Sequence, residues 1–154
     1  MIDTSKMLVP DIEIIQKAFP SYLLATAFEM INNSGKRHIP AEWMEILNIA
    51  SVAPFNGLPT NRVKTLATEM DRVARVVTAE CGATHSSEFA LGAAMAIMHL
   101  VKDGKVLDTK IQGVLVGTRF VEEAFNFEDV ADMKLAKKCA GMVRNSLNRQ
   151  GLYL

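Results

Sequence analysis

The stretch Phe89 to Val101, FALGAAMAIMHLV, constrains this chain more than any other. Twelve of its thirteen residues are apolar or glycine, with His99 the exception. A bilayer span needs roughly 18 such residues in a row, so this run belongs in a protein core. Glu88, Gly92, Met95, His99 and Lys102 step by 4, 3, 4 and 3 along it. That spacing is one narrow line on a helix, whereas a surface helix shows a broad polar face. The pattern predicts an apolar helix over about 87–102, covered on most sides, with the line marking where it meets solvent or a second subunit.

Small residues fill the same stretch: Ala90, Gly92, Ala93, Ala94 and Ala96. They allow a neighbouring backbone to come close. Gly113 and Gly117 offer a matching ridge on the next predicted helix, Thr109 to Phe125. A connection of only Asp103 to Asp108 then predicts a tight antiparallel hairpin between the two.

The rest of the chain reads as further helices. Pro10 suits a helix start and Pro20 interrupts, so two helices are expected before Gly35, which suits a left-handed C-cap. Pro40 opens a helix through AEWMEILNIASVA, whose Trp43, Ile46, Leu47 and Ala50, widened by Met44 and Ile49, predict a largely covered surface. APFNGLPT, residues 53–60, is a loop by its two prolines and its Asn56-Gly57 pair. Val63, Leu66, Met70, Val73 and Val77 then form a clean seam over about Asn61 to Cys81. A last helix is expected after an Asn126 N-cap, with Phe125 and Val130 as a staple. The fold class is all-α, a compact single-domain bundle of six or seven helices around the apolar helix, with residues 1–9 loosely ordered.

Charge removes some functions. Lys plus Arg and Asp plus Glu both number 17, so the whole-molecule field that grips long nucleic acid or an anionic membrane is lacking. The N-terminus has no basic segment followed by an apolar one, so no signal peptide is read. With only Cys81 and Cys139 there is no disulfide framework, and a cytoplasmic protein with free thiols is expected. A mean hydropathy of +0.14 is high for a small monomer and points to a homo-oligomer, most simply a homodimer.

Candidate sites are few. Cys81 and His85, four residues apart, are a possible nucleophile and base, but Gly82 between them breaks helical geometry. A buried thiol beside a loop histidine is the preferred reading. Neither metal-ligand spacing nor a cofactor motif is present. Lys134, Lys137, Lys138 and Arg144, with Arg149, form a basic set on the last helix that suits phosphate contacts or a solvated face. Phe55 in the APFNGLPT loop is either a recognition element or a side chain that pins the loop. Nine methionines suit core filling, an apolar cavity or a groove for a partner helix. The functional expectation is a non-enzymatic interaction module that binds another protein through an apolar groove or the Phe55 loop. A small nucleic-acid-binding protein using the basic last helix comes second. A Cys81/His85 enzyme comes third.

Overall fold

The computed structural model describes residues 9–35, 37–82, 85–103, 119, 122–123 and 132–153. Among them the chain is helical and contains no strand. The five helices are α1 (Val9–Ser34), α2 (Ala41–Val52), α3 (Thr60–Glu80), α4 (Ser86–Lys102) and α5 (Met133–Arg149). A short 3-10 turn, Ala53–Phe55, follows α2. No helix among the described residues is long and apolar enough to cross a membrane.

Helix α1 corrects the sequence reading. Pro20 does not divide it; one helix of 26 residues runs through the proline. A proline inside a helix costs about 3 kcal/mol, because it has no N–H and its ring crowds the carbonyl four residues back. Here that carbonyl belongs to Gln16, and it has found another donor. The Tyr153 hydroxyl, from the end of the chain, donates to the Gln16 carbonyl oxygen at 2.6 Å. The Gln16 side-chain amide in turn donates to the Leu152 carbonyl. Tyr153 is 1% exposed, so the clasp is shielded from competing water. At its other end α1 stops as expected, with Gly35 in the left-handed region at φ 71°. The Asn32 side chain then accepts from the Ile39 N–H at 2.6 Å and holds the chain's return toward α2.

Helix α4 packs against α1 and α5. Phe89, Ala90, Leu91, Ala93, Ala94, Ala96, Ile97 and Leu100 are all buried, so the apolar surface is covered as its pattern requires. The close neighbour of its small residues is α5. A Cβ placed on Gly92 would lie 2.7 Å from the Ala136 carbonyl oxygen, 2.7 Å from the Cys139 Cβ and 2.9 Å from the Ala140 nitrogen. Only glycine fits that crossing. The polar line therefore does not run along solvent for its whole length. Glu88 and Gly92 are buried, and only the His99 and Lys102 end is exposed. There the His99 imidazole lies 3.0 Å from Asp103.

Of the expected helix Thr109 to Phe125, only 119, 122 and 123 are described, all three helical. Arg119 stands 5.1 Å over the Trp43 ring and Glu123 pairs with Arg37 at 3.1 Å. Gly113, Gly117 and the hairpin they would make lie outside the described residues. So do Phe125, Asn126 and Val130. The last helix is capped by Asp132, whose φ of −130° and ψ of 94° are non-helical. Its carboxylate accepts from the Leu135 N–H at 3.0 Å, which is N-cap geometry. The helix thus begins later than an Asn126 cap would place it.

The seam of α3 is as its spacing predicts. Leu66, Met70, Val73 and Val77 are 0–2% exposed. Helix α2 is not. Trp43 and Leu47 are buried, but Ile49 is 59% and Val52 is 56% exposed. The expectation of a largely covered α2 fails because its apolar residues spread around more of the helix than one set of neighbours can cover.

Two measurements probe these packing claims. Tyr153→Phe keeps the ring and removes the donor, leaving a buried proline-orphaned carbonyl. It should lower unfolding free energy by about 1–3 kcal/mol in urea. Gly92→Ala adds one methyl group where the α5 backbone already sits, and should cost about 1–3 kcal/mol by forcing the helices apart.

Candidate functional site

Three helical stripes converge on one groove. Helix α1 contributes Tyr22, Ala25, Thr26 and Glu29, spaced i, i+3, i+4 and i+7. Helix α2 and the turn after it contribute Asn48, Ser51, Val52 and Phe55 at the same spacing. Helix α3 contributes Val63, Ala67 and Met70. One face of each helix therefore meets at a cleft of about 420 Å³.

The polar groups in this cleft are mostly turned to local work. The Thr26 hydroxyl donates to the Tyr22 carbonyl at 3.1 Å. The Ser51 hydroxyl donates to the Asn48 carbonyl at 2.8 Å. Each bends a donor back along its own helix, so the walls present mainly carbon. The Tyr22 hydroxyl donates to Asp71 Oδ1 at 2.9 Å, while Asp71 also holds Arg75 at 2.6 Å. Burial, with the bond to Asp71 and its negative charge second, pushes the Tyr22 phenol up to about 12. Ile49 and Val52 stand exposed one turn apart on α2, and Val52 is itself part of the wall. The result is an apolar cleft with an apolar lip.

Phe55 belongs to this cleft from the inside. It is 6% exposed, so it pins the loop after α2 and does not project from it. Asn56 donates its N–H to the Ala53 carbonyl and Leu58 to that of Phe55, both at 3.1 Å, closing the turn around the ring.

The sequence offered Cys81 and His85 as a possible reactive pair but favoured a buried thiol beside a loop histidine, and the fold places them in that second way. The Cys81 thiol is 5% exposed and donates to the Cys139 carbonyl oxygen at 3.8 Å. Burial first, then the neighbouring Cys139 and Glu80, pushes it up to about 12. A thiol held there stays protonated at neutral pH, opposite to the shift that makes a nucleophile. His85 is exposed, with its ring beside Gly82. Among the described residues no group of three or more His, Cys, Asp or Glu is placed to hold a metal ion.

The basic set of the last helix divides. Lys134, Lys137 and Lys138 are exposed on one turn of α5, and Arg144 is half-buried. Arg149 pairs with Glu80 at 2.7 Å. On α3 the three arginines are matched: Arg62 with Asp11, Arg72 with Glu69 and Arg75 with Asp71. Among the described methionines, Met70 is buried in the core and Met30, Met44, Met95, Met133 and Met142 pack against it.

Sequence reasoning missed the groove. Its α3 wall was visible as the outer edge of a seam and its α1 wall falls within the helix expected after Pro20, but that these faces meet is a relation between distant residues. The readable signal was the surplus of apolar residues around α2, which one buried face cannot absorb.

The chain has two tyrosines, and both are shifted the same way. Burial raises Tyr153 well above its usual 10, and Tyr22 reaches about 12. In the unfolded chain both ionise near 10, so the stability tied to their protonated forms is complete below pH 10. For Tyr22 it is lost as pH climbs toward about 12. Ultraviolet titration of the folded protein should show no phenolate step near pH 10. A step of either ring at that pH would refute the buried placement.

Compared with models of known protein families, with curated proteins and with solved structures, the chain matches none.

Proposed function

We propose that this chain is a helical protein-interaction module that docks another polypeptide at the α1–α2–α3 cleft, and that a second copy of the chain is an occupant. The observation that carries the reading is the lip of the cleft. Ile49 and Val52 are the large apolar side chains left exposed among the described residues, at 59% and 56%; Val52 lines a largely apolar cleft of about 420 Å³, and Ile49 stands one turn before it on α2. Fully burying a side chain of this kind is worth about 1.5–3 kcal/mol. Covering what remains open on the two therefore favours association by about 1 kcal/mol each, before the cleft itself is filled. The high mean hydropathy of the chain, +0.14, fits a protein that covers apolar surface by association.

In this reading the whole chain is one cytoplasmic domain, a bundle of six or seven helices with α4 at its centre. A second reading, contact with nucleic acid, is favoured by one observation only: Lys134, Lys137 and Lys138 are exposed on a single turn of α5.

Charge placed on the lip tests the proposal directly. Sedimentation at high micromolar concentration should give a dimer for the unmodified chain. Ile49→Asp and Val52→Asp should weaken it at least tenfold. Both positions are on the surface, so unfolding free energies should stay within about 0.5 kcal/mol. A chain that sediments as a monomer throughout removes the second copy as occupant. A dimer indifferent to both substitutions places its interface elsewhere.

A further inference from the structure

Cys81 caps the C-terminal end of α3, and Cys139 lies within α5. They are 58 residues apart in sequence, and the fold brings them face to face. The Cys81 thiol donates to the Cys139 carbonyl oxygen at 3.8 Å, and the Cys139 thiol donates to the Cys81 carbonyl oxygen at 3.6 Å. Each sulfur thus sits in the contact shell of the other residue. Both are free, and they are 5% and 0% exposed. As small buried hydrophobes, two alanines would fill much of this contact. Two cysteines in reciprocal contact add one property alanines lack: they can be joined.

We propose that Cys81 and Cys139 are a redox-responsive pair, which hydrogen peroxide converts to an intramolecular disulfide that staples the end of α3 to α5. The chemistry balances in two steps. One sulfur, Cys81 as the more accessible, gives up its proton and attacks a peroxide oxygen. The O–O bond breaks, water leaves, and a sulfenic acid remains. The Cys139 sulfur then attacks the Cys81 sulfur, the S–O bond breaks, and a second water departs as the S–S bond forms. Two thiols lose two electrons and two protons, and one hydrogen peroxide becomes two waters. A bulky disulfide oxidant has no comparable access to sulfurs this deeply buried.

The surroundings set the rate. Burial raises both thiols. Glu80 adds to the rise at Cys81, Glu88 of α4 adds to it at Cys139, and Lys138 opposes it there. Little thiolate is present at neutral pH, so closure is slow there and speeds up as the pH rises. The staple also touches α4, because Cys139 is one of the α5 residues that crowd Gly92.

The full chain treated with hydrogen peroxide, then denatured and alkylated, reads the outcome by mass. The expected product is a monomer two hydrogens lighter that takes up no alkyl group. It should yield one peptide pair linked through Cys81 and Cys139, and revert with dithiothreitol. Its rate of formation should rise roughly tenfold per pH unit between about pH 7 and 9, following the thiolate fraction. With Cys139→Ser, the remaining Cys81 should accumulate a sulfenic acid that dimedone traps. Should that variant fail to fold, the mass readout on the unmodified chain decides alone. Full alkylation of both sulfurs after prolonged peroxide overturns the proposal. So does irreversible oxygen addition at either sulfur, or a disulfide joining two chains.

Discussion

The architecture depends on how the proline in α1 is accommodated. Pro20 sits in the middle of a helix that touches α2, α3 and α4. A break there would have turned one long scaffold into two short helices with an independent hinge. Gln16 is left with a carbonyl that no amide of its own helix at position 20 can serve. Tyr153 serves it from the far end of the chain, and Gln16 returns a hydrogen bond to Leu152. The helix keeps its length because a distant residue meets its local deficit. The same contact fixes the residues that follow α5, Leu152 and Tyr153, against α1.

A second constraint governs the other side of α1. Helices α4 and α5 come together where Gly92 meets Ala136, Cys139 and Ala140, at a separation that excludes even a methyl group. Close approach trades side-chain volume for backbone contact, so it demands small residues on both helices. It also settles the chemistry of the cysteines. Cys139 faces Gly92 on one side and Cys81 on the other, which is why the thiols are buried, protonated and paired.

The groove follows from these two constraints by exclusion. With one side of α1 committed to α4, its Tyr22–Glu29 stripe faces α2 and α3. Helix α2 lends its buried face, Trp43 and Leu47, to the core, yet it carries more apolar residues than that face can hold. Ile49 and Val52 are the remainder. Phe55, tucked under the turn, fills the bottom of the space and leaves its upper part open.

Much of this was legible in the residues. The apolar run of α4, the seam of α3 and the glycine stop at Gly35 each state a local rule that the fold obeys. Periodicity and capping act over a few residues, so a sequence displays them directly. What the residues did not display were relations across long separations. That Pro20 would be tolerated depended on Tyr153. That Gly92 would meet α5 depended on the chain path between α4 and α5. That Cys81 would face Cys139, rather than His85 four residues away, depended on the crossing of α3 and α5. The sequence by itself determined an all-helical chain with a buried, small-residue helix, because burial pattern and backbone propensity are local quantities. Only the tertiary structure decided which helix meets which, what repairs the proline and where apolar surface is left open, because those depend on packing the whole chain at once.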